Sequence, residues 1–156
     1  MSEPRQTPRD DRASSAFTEL VLETFRLNGR LLAAGDRLVK PISLTSARWQ
    51  VMGAIRNQKS TVADIARHMG LQRQSVQRTV DVLAKEGLVD FVDNPNHRRA
   101  KLVVLTRKGW ATVRRANALR VSWAKKSSHG TTAAELELAT LVLRKIRHKL
   151  GDRTSP

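Results

Sequence analysis

The chain has 156 residues, with 29 lysines and arginines against 14 aspartates and glutamates, a formal charge of +15. That balance is too lopsided for a typical soluble enzyme and suits nucleic acid or another anionic surface. No cysteine occurs, which excludes disulfides and thiolate metal sites.

Residues 1–12 (MSEPRQTPRDDR) are polar, contain two prolines, and read as a disordered tail without a signal-type apolar segment. No apolar run nears the roughly 20 residues of a membrane span, so a cytoplasmic protein with no membrane partner is expected. A first helix is predicted from Ala13 to Val39, ended by Pro41, which disfavours helix at Lys40. Its Phe17, Leu20, Leu27, Leu31 and Leu38 recur at helical spacing, and Val21, Phe25 and Leu32 widen the stripe. Thr45 caps a second helix reaching about Arg56, with Trp49, Met52 and Ile55 inward. Trp49 fits core packing, and also the wall of a ligand pocket. Arg48 beside it fits a partner for an anionic effector, or a side chain in water.

The stretch from Thr61 to Leu105 is the most informative. Thr61 is an N-cap, with Asp64 three residues on at the positive end of the helix dipole. Val62, Ile65, Ala66 and Met69 form one apolar face, and Gly70 ends the helix. A further helix over Gln74–Glu86 buries Val76, Val80 and Leu83 and stops at Gly87. Its other side carries Arg73, Gln74, Gln77 and Arg78, whose guanidinium and amide groups match guanine and adenine edges. Alone, such a face reads equally as a solvated surface. Two strands, Leu88–Val92 and Lys101–Leu105, follow, and their turn holds Arg98 and Arg99. Together these elements read as a winged helix-turn-helix, with the second helix as the recognition helix. Thr61, Gln72 and Ser75 stand at helix N-termini, where backbone N–H groups suit phosphate.

Thr106 caps a fifth helix to about Ser127, and Thr132 with Glu135 forms a capping box for a sixth. In the sixth, Leu136, Ala139, Leu143, Ile146 and Leu150 repeat at threes and fours. Helices one and six carry more apolar face than a lone winged helix covers, so a two-fold homodimer is expected. From Asn94 to Ala134 there is no acid, and Arg107, Lys108, Arg114, Arg115, Lys125 and Lys126 line the fifth helix. This run fits either a solubilising face or a surface for phosphates beside a DNA site. GDRTSP, starting at Gly151, reads as a tail.

The segments LTSARWQVMGAI (44–55), TVADIARHMGLQRQSVQRTVDVLAKEGLV (61–89) and NPNHRRAKLVVLTRKG (94–109) resemble the MarR family of bacterial transcriptional regulators. The resemblance implies a mainly α fold over a single domain, 13–150. Helices in 13–40 and 107–150 would form the dimer, and 44–106 the winged-helix lobe with its antiparallel β wing. It also implies a homodimer, often a repressor, on palindromic double-stranded DNA, released by a small anionic or aromatic effector near Arg48 and Trp49. The DNA-binding set it implies is Thr61, Gln72, Arg73, Gln74, Ser75, Gln77, Arg78, Arg98 and Arg99. Two departures stand out. Gln72 replaces the usual small cap residue, and Asn94 and His97 replace both acids of the wing pattern D-P-x-D-R-R.

Catalysis has no evident basis. No nucleophile stands beside a base in a recognisable context, and His68, His97, His129 and His148 are scattered. Asp64 and His68, four apart, fit a helix side-chain pair better than half a metal site. No cofactor is expected. The alternative to a sequence-specific regulator is an architectural DNA-binding protein that acts through charge.

Overall fold

A computed structural model describes residues 8–151. The order is α1 (Pro8–Val39), a 3-10 turn (Lys40–Ile42), α2 (Ser46–Ala54), α3 (Val62–Met69), α4 (Arg73–Lys85), β1 (Val89–Val92), β2 (Leu102–Leu105), α5 (Arg107–Ser127) and α6 (Ala133–Gly151). The described residues form two compact units that divide between Leu119 and Arg120. That division falls inside α5.

α1 starts at Pro8, ahead of the expected Ala13, so the tail expected over 1–12 is helical from residue 8. Nothing in residues 9–12 breaks a helix, and propagation adds one hydrogen bond for each residue fixed. The rest of that expected tail, and residues 152–156 at the other end, lie outside the described residues. Gly151, expected in the C-terminal tail, is the last residue of α6. α1 ends before Pro41 as predicted, and the chain turns at Ser43, which adopts a left-handed φ of 56°. Thr45 then caps α2, accepting from the Arg48 N–H at 3.3 Å.

α1 and α2 meet closely at Ser46. Its N–H donates to Asp36 Oδ1 at 2.6 Å and its hydroxyl to the Leu32 carbonyl at 2.9 Å. Two left-handed glycines shape the winged-helix region. At Gly70 (φ 65°) the chain turns so that the Leu71 N–H reaches the Ala66 carbonyl at 2.9 Å. At Gly87 (φ 70°) the Leu88 N–H reaches Leu83 in the same way, also at 2.9 Å. Both are the 6→1 closure that satisfies orphan helix carbonyls, and glycine adopts it without a Cβ penalty.

The core lies in the first unit. Met52, Ile65, Val76, Val80, Leu83 and Val103 are fully buried, and Trp49 packs half-buried against them. Apart from Val103 of β2, these lie on the faces that periodicity assigned to α2, α3 and α4. β1 and β2 pair antiparallel with Val89 opposite Leu105 and Val92 opposite Leu102. Val103 also donates to the Ser60 carbonyl at 2.9 Å, which ties the hairpin to the residue before α3.

The start of α5 is fastened to the end of α4. The Thr106 hydroxyl donates to Gly87 O at 2.7 Å and accepts from Gly109 N–H at 3.0 Å. Gly109 lies so close to the Leu88 carbonyl that any side chain there would overlap it. Lys108 Nζ donates to Glu86 O at 2.7 Å, placing a cation at the negative end of the α4 dipole.

In the second unit, the capping box predicted for α6 is formed. The Thr132 N–H donates to Glu135 Oε2 at 2.8 Å, and Glu135 N–H donates to the Thr132 hydroxyl at 3.3 Å. No residue of α6 is buried.

Candidate nucleic-acid interface

α4 is amphipathic because valines and leucine fall at spacings of four and three, leaving the opposite face polar. Docking the apolar side on the core turns Arg73, Gln74 and Arg78 to solvent and leaves Gln77 half-buried. Gln72 occupies the cap position without a side-chain hydrogen bond, so only its carbonyl serves the first turn, accepting from Ser75 and Val76. The weaker cap expected from glutamine is therefore present. No acid stands in the first turn of α4, so its positive end is uncompensated by carboxylate.

A cleft of about 380 Å³ opens beside this face. Thr61, Val62 and Ala63 from the start of α3 form one wall, Arg73 and Gln77 from α4 another. Phe91, Arg99, Ala100 and Lys101 of the hairpin close it. Two arginines, a lysine and a helix N-terminus thus converge on one concave surface, an arrangement suited to anionic phosphate. Four expected residues meet there: Thr61, Arg73, Gln77 and Arg99. Lys101 joins them, although in the sequence it is distinguished only by belonging to a basic run.

Thr61 is more committed than its position suggests. Its hydroxyl donates to Asp64 Oδ2 at 2.7 Å and accepts the Asp64 N–H at 3.2 Å. Its hydroxyl is therefore engaged within the chain, and the contribution of this helix end to the cleft is backbone. Asp64 pairs with Arg67 at 3.0 Å, so the expected Asp64–His68 pair is not the one formed. Among the described residues no group of three metal-ligating side chains occurs.

The wing turn is held by the side chain and the carbonyl of Asn94. Asn94 Oδ1 accepts from Asn96 N–H at 3.0 Å, and Asn94 O accepts from His97 N–H at 3.2 Å. Asparagine supplies the same acceptor oxygen for this turn as aspartate. Arg98 is exposed beside Arg99.

Ser75 is on a different surface. With Val76 and Thr79 of α4 it lines an apolar cleft of about 310 Å³, together with Asn28 and Leu32 of α1, Ala47, Gln50 and Val51 of α2, and Met69 and Leu71. Arg48 and Trp49 are not among these lining residues. The Arg48 guanidinium instead forms an ion pair with Glu86, donates to Ser43 O at 3.3 Å and reaches the Thr45 hydroxyl. Its expected freedom for water or an anion is thus replaced by a bridge from α2 to the end of α4.

A family model described as MarR family matches residues 42–100. Protein Rv2011c of Mycobacterium tuberculosis is 36% identical over 96 residues, 62% of this chain and 67% of the relative. The HTH-type transcriptional repressor IacR of Pseudomonas putida is 26% identical over 126 residues, 80% of this chain and 75% of its own. Among solved structures, a mutant MarR from E. coli complexed with operator DNA superposes with a TM-score of 0.68 at 25% identity. It covers 81% of this chain and 95% of the MarR chain. No helix among the described residues is long and apolar enough to cross a membrane. With its winged helix-turn-helix and these relatives, the chain belongs to the MarR family of transcriptional regulators.

Proposed function

We propose that this protein is a homodimeric repressor that binds a palindromic promoter site and is released from it by a small molecule. The cleft that gathers Arg73, Gln77, Arg99, Lys101 and the start of α3 carries this reading. α4 enters the major groove with Arg73, Gln74, Gln77 and Arg78, and the wing follows the minor groove with Arg98 and Arg99. Gln72 and the α3 N-terminus at Thr61 meet the phosphates. The relation to IacR, a repressor, supports the sign of regulation.

Dimerisation is supported by apolar side chains left in water by the single chain. Phe17, Phe25, Leu27 and Leu31 on α1 are exposed, as are Leu136, Leu138, Leu141 and Leu143 on α6. A second copy gives both helices cover, and two-fold symmetry sets half-sites about 10 base pairs apart.

The effector belongs in the apolar cleft that Ser75 and Thr79 share with α1 and α2. Its described lining residues carry no charge, so an uncharged or aromatic molecule fits it better than a carboxylate. A ligand there touches α4 directly and can bias its placement. With Arg48 and Trp49 engaged elsewhere, Ser75 moves from the DNA set to the effector set.

Protection mapping on the DNA flanking the protein's own gene tests this reading. Two protected half-sites one helical turn apart are expected, with specific over random affinity of at least about 10³ at fixed salt. Uniform protection without a preferred site would favour the architectural alternative, to which the net charge of +15 lends weight.

A further inference from the structure

Gln77 does not present its side-chain amide freely. Its Nε2 donates to Asp81 Oδ1, one turn along α4, at 2.8 Å. An amide alone is ambiguous, because oxygen and nitrogen have nearly the same shape and a half-turn exchanges them. A carboxylate removes that ambiguity, since its oxygens only accept. The nitrogen must face Asp81, and Oε1 must face the other way. One N–H is consumed, and the remaining edge carries one acceptor and one donor.

Such an edge complements adenine, whose N6 donates and N7 accepts in the major groove. Guanine presents acceptors at both places, so its O6 would oppose Oε1 of a fixed amide. An amide free to turn escapes that conflict by swinging its oxygen away and aiming both N–H groups at O6 and N7, which the bond to Asp81 prevents. The Gln77 side chain is also half-buried in the cleft beside Arg73 and Arg99, which restricts its stem.

Asp81 is the only acid on α4, in a chain otherwise strongly basic. On a helix that approaches phosphates its charge is repulsive, and the bond to Gln77 supplies a reason for its presence. We infer that Asp81 is a positioning residue that sets the Gln77 amide for adenine and against guanine at one position of each half-site. This rests on the reading of α4 as the major-groove element. Asp81 contacts no base and acts through Gln77.

The test uses the full-length protein and a pool of duplexes randomised over roughly two turns of DNA. Titrations follow with duplexes carrying each base pair at the position whose preference Gln77→Ala abolishes. The native protein should prefer adenine over guanine there by about 5- to 150-fold, the worth of one bidentate contact. Asp81→Asn, which donates as well as accepts, should bring that ratio within about threefold and leave other positions unchanged. Asp81→Glu, again only an acceptor, should restore most of it. Melting temperatures should coincide, because Asp81 is exposed and a purely structural role would not single out one base pair. An unaltered ratio in Asp81→Asn, or a Gln77 position that does not favour adenine, overturns the inference while leaving α4 as the reader. No base preference anywhere in the native selection removes the reading and the inference together.

Discussion

Gly35 of α1 lies directly against Ser46 of α2, so close that a Cβ on the glycine would overlap the serine hydroxyl. That hydroxyl cannot swing away cheaply, because it is bonded to the Leu32 carbonyl one turn earlier on α1. Gly35→Ala should therefore destabilise the protein by about 1–3 kcal/mol despite alanine's better helix propensity. In a Ser46→Ala background the obstacle is gone, since the Ser46 Cβ lies at an ordinary 3.4 Å. There the same change should be neutral or stabilising. Urea unfolding of the two singles and the double gives the coupling, and strict additivity would remove this account of the contact.

The Asp64 carboxyl is held below its ordinary 3.8, chiefly by the Thr61 hydroxyl bond. Desolvation opposes that effect, while the Thr61 backbone and Arg67 reinforce it. A depressed carboxyl stabilises the fold above its unfolded pKa, and the contribution is lost as pH falls through the folded value. Thr61→Ala should cost about 0.5–2 kcal/mol at pH 7, as loss of an N-cap does. The deficit should shrink below about pH 3.8, without vanishing, because the capping bond from Asp64 N–H is independent of charge. Glu135, lowered by its bonds from the Thr132 backbone and hydroxyl, should behave in the same sense below its ordinary 4.5. Carboxyl carbon titrations by NMR would show both groups directly, and normal values would contradict the capping geometry.

Basic residues at the two ends of α4 should differ in their salt response. Arg99 and Lys101 lie in the cleft with Arg73 at its start, whereas α5 begins at its far end, beside Gly87. Thirteen helical residues separate those ends by roughly 20 Å. Arg99→Gln with Lys101→Gln should reduce the slope of log affinity against log salt by about 0.9 per lost phosphate contact. Arg114→Gln with Arg115→Gln should leave it unchanged on short operator duplexes. Equal reductions from both pairs would extend the DNA surface onto α5.

Filling the apolar cleft should separate ligand response from folding. Ala47→Phe places an aromatic ring among Leu32, Val51 and Val76 and should abolish release of DNA by an effector, with operator affinity retained. Arg48→Ala should leave the response intact and lower stability by about 1 kcal/mol, through loss of its bridge to Glu86. Ligand titration by fluorescence anisotropy on labelled operator reads both. A response lost with Arg48→Ala alone would return the effector to that arginine.

Short-range chemistry was legible in the order of residues alone. Thr45, Thr61, Thr106 and Thr132 each cap the helix predicted for them, and Gly70 and Gly87 end α3 and α4, because these bonds close within a few residues. Periodicity likewise identified the buried faces of α3 and α4, and so the polar face that Arg73 and Gln77 share. The Gln77–Asp81 bond was also within reach, as a pair four apart on a helix. It took the folded chain to show that Arg48 bridges to Glu86, 38 positions away, and that Lys101 joins Thr61 and Arg73 across the hairpin. The fold also placed Ser75 on the apolar cleft and Gly35 against Ser46. Caps and periodic faces follow from the path of one helix, whereas these contacts depend on how elements distant in the chain dock, which packing of the shared core sets.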